Sequence, residues 1–176
     1  MKVFLFVMLT MSFCALAKAE EGSSMKEKIR VFNAEKGAYE EVEKIQKSDK
    51  EWQDDLTAEQ FCIIRQHATE QPFNNKYHDS KISGIYKCAA CGLDLFDSSH
   101  KFDSKTGWPS YFQPVAEENI GYKEDDSLFM KRTEVHCARC GAHLGHVFDD
   151  GPPPTGKRFC INSAALNFVE KNQKVK

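Results

Sequence analysis

Residues Leu128–Cys137 read LFMKRTEVHC, an alternating run whose period of two belongs to a strand with one buried face rather than to a helix. From Gly84 onward the chain on either side of it breaks into short apolar runs separated by Gly, Pro, Asp and Ser. Strands are expected at GIYKC (84–88), WPSYF (108–112), SLFMKRTEVHC (127–137), HLGHVF (143–148), RFCIN (158–162) and ALNFVE (165–170), with FDDGPPPTGK (148–157) as a turn. No alternation of strand and helix supports a parallel sheet, which leaves antiparallel pairing.

Upstream, KIRVFNAEKGAY (28–39) places Ile29 and Val31 two apart before a turn signal at Gly37 and reads as a hairpin. Two capping boxes follow, Ser48 with Glu51 and Thr57 with Gln60; each satisfies backbone donors at the start of a short helix. The second helix is expected to reach about His67 and to bury Phe61, Ile64 and Ala68. The whole reads as a mainly β domain with short helices on its N-terminal side.

The chain of 176 residues has room for one domain whose core needs no metal or disulfide in order to fold. Its start, MKVFLFVMLTMSFCALAKA (1–19), has a basic Lys2, an apolar run and a small-x-small ending at Ala17-Lys18-Ala19, the pattern of a secretory signal cut after Ala19. The run is too short for the roughly 20 residues of a membrane span. Phe13 before Cys14 argues against lipoprotein processing. The expected organisation is signal 1–19, linker 20–27, a single domain 28–170 and a tail 171–176, in an exported protein, periplasmic or secreted, with no stable membrane insertion. Cleavage removes Lys2 and Lys18 but no acid, so the formal charge moves from −2 to −4, which excludes nucleic acid as a partner.

Cleavage also removes Cys14 and leaves Cys62, Cys88, Cys91, Cys137, Cys140 and Cys160. KCAACG and HCARCG each hold two cysteines around a two-residue spacer, followed by a glycine suited to a tight knuckle. Two such pairs converge on one tetrahedral Zn²⁺, with Cys88, Cys91, Cys137 and Cys140 as a closed structural set. In an exported protein two disulfides are the alternative. Cys160 stands apart, with Arg158 two residues away on the same strand face and His143 and His146 upstream. A cation or imidazole beside a thiol lowers its pKa, so the pattern suits an activated nucleophile. A buried cysteine serving only as a small hydrophobe fits the spacing equally well.

GWPSYF, CARCGAHLGHVFDDGPPPTGKRFCINSAAL and the two knuckles together resemble the B-type methionine sulfoxide reductases, over roughly Lys28 to Glu170. The resemblance implies two antiparallel sheets packed together, sandwich- or barrel-like, and reduction of the R epimer of methionine sulfoxide in oxidised proteins. It casts Cys160 as the nucleophile, with His143 and His146 polarising and protonating the sulfoxide oxygen. Asn162 would position that oxygen or a water, Trp108 would wall the substrate methyl group, and Arg158 would steady the thiolate.

One departure stands out. Many members carry a resolving cysteine just before the GWPS tryptophan, where this chain has Lys105 and Thr106. Some relatives place it in the N-terminal segment, which makes Cys62 in AEQFCIIRQ the expected partner of Cys160 in a disulfide reduced by a thioredoxin-like donor. Burial of Cys62 beside Phe61 and Ile63 is the alternative. Rival readings of the whole chain are a zinc-ribbon-like binding module, which would leave Cys160 and the histidines idle, and a thiol–disulfide oxidoreductase working through one of the CxxC pairs.

Overall fold

The computed structural model describes residues 27–127 and 130–171. The expected signal, most of the linker and the tail beyond Lys171 lie outside the described residues, as do Leu128 and Phe129 of the alternating run. In chain order come β1 (Lys28–Asn33), β2 (Ala38–Glu43), α1 (Asp49–Asp55), α2 (Ala58–Gln66), β3 (Gly84–Cys88), β4 (Asp94–Asp97), β5 (Lys101–Phe102), β6 (Ser110–Tyr111), β7 (Ile120–Asp125), β8 (Arg132–Cys137), β9 (His143–Phe148), β10 (Arg158–Ile161) and β11 (Leu166–Glu170). Both helices start on the expected capping boxes, at Ser48 and Thr57. Phe61 and Ile64 are buried as the helical stripe requires, while Ala68 follows the end of α2 and is half-buried.

The strands form an antiparallel six-stranded sheet in the order β5-β6-β10-β9-β8-β7, a three-stranded sheet β11-β3-β4, and the hairpin β1-β2 as a small third sheet. Tyr111, Val135, Phe159 and Ile161 share one face of the large sheet by register and are buried. Tyr86 and Phe96, paired on the small sheet, meet that face. Phe96 stacks on Tyr111 at 4.4 Å, Tyr86 sits edge-on to Tyr111 at 5.3 Å, and Phe96 lies 5.9 Å from Phe159. Such pairs add about 0.5–1.5 kcal/mol each beyond the area they bury. With the core on one side, the other face of the large sheet is left for polar chemistry.

Three strands had no period-two signal to announce them: β4, β5 and β7, of sequence DLFD, KF and IGYKED. The first two are too short to show a period, and β7 is an edge strand with half of its residues exposed. WPSYF shrinks to Ser110–Tyr111, since Pro109 has no N–H for a ladder. Among the described residues no helix is long and apolar enough to cross a membrane.

Candidate active site

The two knuckles have the same wiring. In each, the first cysteine's N–H donates to the carbonyl five residues on (Leu93, Ala142), and the glycine N–H donates back to that cysteine's carbonyl (Gly92, Gly141). Both glycines have positive φ, +74° and +67°. The turns aim four sulfurs at one point: Cys88 and Cys140 Sγ are 3.7 Å apart, Cys91 and Cys137 Sγ 3.5 Å, and all four lie within 4.8 Å of one another. All are free thiols, so the disulfide alternative is not realised here. A tetrahedral ion with metal–sulfur bonds of about 2.3 Å sets its sulfurs about 3.8 Å apart, so the set fits a single ion. It would tie β3 of the small sheet to β8 of the large one.

The polar face of the large sheet is built by a bulge. In a regular strand His143 and His146, three apart, would face opposite sides. Here Glu134 pairs with His146, Val135 with Gly145, and His136 with His143, leaving Leu144 as an extra residue on β9. The extra residue returns His143 to the face of His146. Leu144 is buried and its carbonyl accepts from the Asn162 main-chain N–H at 2.8 Å. Cys160 lies directly across from His146 on one side and from Ser110 of β6 on the other. Arg158, two residues before Cys160, shares this face, so one surface carries Ser110, Arg158, Cys160, His146, Glu134 and His143.

Acids hold both imidazoles. His143 is 2% exposed; its Nδ1 donates to Glu134 Oε1 at 2.7 Å, and its Nε2 is buried with no hydrogen-bond partner among the described residues. Burial pushes His143 below the ordinary histidine pKa, against the pull of Glu134. His146 Nε2 donates to Asp125 Oδ2 at 2.7 Å. Hydrogen bonds from Ser127 and His146 hold the Asp125 carboxyl well below the usual range.

The expected depression of the Cys160 pKa is corrected by the structure. Burial pushes the thiol above its ordinary value, and Arg158 and the Thr106 hydroxyl only partly pull it back. The reason lies in Arg158, which donates from Nε and one terminal nitrogen to the two carboxylate oxygens of Asp150 at 2.8 and 2.9 Å and lies over the Phe148 ring at 4.4 Å. An arginine already paired with a carboxylate offers a thiolate less than a free one does.

Trp108 is half-buried. Its indole Nε1 donates to the Glu70 carbonyl at 3.1 Å. Asn162 is buried, and its amide is turned to the main chain: Oδ1 accepts from the Glu70 N–H at 3.2 Å and Nδ2 donates to the Leu144 carbonyl at 3.1 Å. The Glu70 carboxylate accepts from the N–H groups of Ser163 and Ala164 at 2.6 and 2.9 Å. Glu70 thus holds Trp108, Asn162 and the turn after Cys160 in one clamp.

The family described as SelR domain matches residues 56–170, most of the chain and all of the site. Similar curated proteins include the peptide methionine sulfoxide reductase MsrB of Methanosarcina barkeri, 54% identical over 73% of this chain and 91% of its own, and that of Pseudomonas aeruginosa, 54% identical over 74% and 98%. Peptide methionine sulfoxide reductase B1, chloroplastic, of Arabidopsis thaliana is 57% identical over 72% of this chain and 63% of its own. The chain belongs to the MsrB family. It is therefore an oxidoreductase, and the reading of it as a binding module falls away.

Within this MsrB site, Cys62 is exposed, which removes the reading of it as core packing. At 100° per residue it points away from the side of α2 formed by Phe61, Ile63 and Ile64, the residues α2 buries. Cys62 and Cys160 are both free thiols. Five residues of the site escaped the sequence reading: Glu70, Thr106, Asp125, Glu134 and Asp150. An acid opposite a histidine on the next strand, such as Glu134 opposite His146, leaves no spacing signal in the chain. Thr106 was visible only as the residue where a resolving cysteine is expected; its hydroxyl shares a hydrogen bond with Ser104 Oγ at 2.8 Å and helps to lower the Cys160 pKa.

Proposed function

We propose that this chain reduces methionine-R-sulfoxide in oxidised proteins and that Cys160 is its nucleophile. The observation that carries the reading is the placement of Cys160 directly across from His146, on the face that also holds His143. Since burial keeps Cys160 a thiol, it needs a base as it attacks, and an imidazole takes its proton. The same proton passes to the sulfoxide oxygen. The sulfur–oxygen bond of the substrate breaks and one forms on Cys160, so the methionine sulfur gains two electrons, Cys160 becomes a sulfenic acid, and no proton is left over. Asp125 and Glu134 orient the imidazoles, Trp108 walls the methyl group, and Arg158 steadies the developing negative charge. Asn162 contributes through its hold on the Glu70 and Leu144 main chain. Cys88, Cys91, Cys137 and Cys140 would hold one Zn²⁺, which supplies a structural tie between the sheets and no chemistry.

For recycling, once the four knuckle cysteines are set aside, Cys62 is the remaining described thiol, and it closes a disulfide with Cys160 that a thioredoxin-like donor reduces. That step needs α2 to turn or unwind, because Cys62 faces away from its packed side. The outward position of Cys62 favours a second reading, attack on the sulfenic acid by an external thiol. A secretory leader at 1–19 would put the work outside the cytosol, in a periplasm or a secreted pool, so the donor would be exported too; N-terminal sequencing of the mature protein should begin at Glu20.

The test is the Cys160→Ser chain with a methionine-R-sulfoxide peptide: turnover should vanish with zinc content unchanged, and retained turnover removes Cys160 from the mechanism. One equivalent of substrate followed by acid quench and mass mapping of the wild type separates the two routes, as either a Cys62–Cys160 disulfide or a Cys160 sulfenic acid beside free Cys62. Insulin reduction by the zinc-loaded protein would instead support a CxxC oxidoreductase.

A further inference from the structure

His67 caps α2 at φ +57°, and its side chain, 55% exposed, reaches over the edge of the polar face. Its Nδ1 lies 3.2 Å from Glu134 Oε1, the same oxygen that accepts from His143 Nδ1 at 2.7 Å. The two rings stand 4.9 Å apart. One buried carboxylate oxygen therefore sits between two imidazole nitrogens, and the three donor atoms fall within 4.8 Å of one another.

We propose that His67, Glu134 and His143 form a second metal site, which takes one divalent transition ion of the Zn²⁺, Co²⁺ or Ni²⁺ class and whose filling stops the reductase. Two imidazoles with one carboxylate suit borderline ions and not Mg²⁺ or Ca²⁺, which want all-oxygen sets. Three protein ligands leave a position open, in contrast to the closed four-sulfur set. His143 can bind without losing a proton to solvent: its one proton moves from Nδ1 to Nε2, the buried nitrogen that has no partner among the described residues. His67, on the rim, gives the ion its way in. Filling the site would take from His143 the Glu134 bond that orients it. This loss of turnover rests on the catalytic reading above, while the binding does not.

The test uses the full chain with zinc in the four-cysteine set and the substitution Cys160→Ser, so that the reactive thiol offers no ligand. Titration with Co²⁺ should show one further equivalent per chain with weak visible d–d bands and no near-ultraviolet sulfur-to-cobalt band. Removing even an outer-shell partner weakens metal binding by roughly 10–100-fold, so His67→Ala should weaken Co²⁺ by at least about that much. Lying on the rim, His67→Ala also avoids the folding risk of Glu134→Ala. In the wild-type background Co²⁺ should inhibit sulfoxide reduction, and His67→Ala should turn over normally without Co²⁺ and resist it. A titration without the further equivalent, a sulfur-to-cobalt band, or undiminished binding by His67→Ala overturns the site; binding with unchanged wild-type turnover overturns the inhibition. Absence of turnover in zinc-loaded wild type before Co²⁺ is added would sink the catalytic reading and leave the isotherm to decide the site.

Discussion

Gly145→Ala should damage both the stability and the chemistry of this protein, and its cost follows from one close approach. Gly145 sits between the two histidines of β9, at φ +154° and opposite Ile161. A Cβ there would stand 2.0 Å from the Cys160 carbonyl oxygen and 3.0 Å from its carbonyl carbon, and both are backbone atoms that no rotamer change can move. Holding a residue with a side chain in that backbone region costs about 1–3 kcal/mol. Forcing β9 and β10 apart adds an overpacking cost of about 1–3 kcal/mol. The expected loss is thus about 2–6 kcal/mol, a large part of the roughly 5–15 kcal/mol typical of a domain. Urea unfolding followed by fluorescence measures it. Because the displaced atom is the Cys160 carbonyl, kcat/KM on a methionine-R-sulfoxide peptide should also fall by about 100-fold, the cost of a shift near 1 Å. A loss below about 1 kcal/mol with wild-type turnover would contradict this account, since β9 and β10 would then have room that the structure denies them.

Thr106→Cys puts a thiol where the hydroxyl now helps to lower the Cys160 pKa; after one turnover, mass mapping should find that introduced thiol joined to Cys160 in a disulfide, with Cys62 left free. Glu70→Ala removes two charge-assisted bonds to the Ser163 and Ala164 N–H groups and should cost about 3 kcal/mol or more in urea unfolding, with weaker substrate binding as Trp108 loosens. Since the folded-state pKa of Cys160 is raised by burial, its thiolate grows in only above the ordinary thiol value. Iodoacetamide alkylation of the free enzyme should therefore keep accelerating through that value, and a plateau near neutral pH would mean that Arg158 outweighs burial. Zinc analysis should give about one ion per chain, and a strong chelator should lower the melting temperature, because the four sulfurs tie β3 to β8.

Local features could be read directly from the amino-acid chain, because their causes lie within a few residues of each other. Ser48 with Glu51 and Thr57 with Gln60 mark helix starts that close on their own side chains. GIYKC and HLGHVF announce strands at the bounds found, and a two-residue spacer is enough to turn Cys88 and Cys91, or Cys137 and Cys140, toward one ion. The surroundings of Cys160 are a different matter and depend on the folded arrangement. Spacing could place Arg158 on its strand face, yet the pairing of Arg158 with Asp150 and the burial of the thiol reverse the pKa shift that spacing suggests. His143 and His146 share a face because β9 bulges at Leu144 against β8, and a bulge is a property of two strands, which neither strand carries alone. Glu134, Asp125 and Glu70 reach their partners through side-chain bonds spanning 9, 21 and 93 residues of chain. Hydrogen bonds of that kind exist only once folding has brought the strands together, so the chemistry's residues could be named early while their protonation, orientation and support could not.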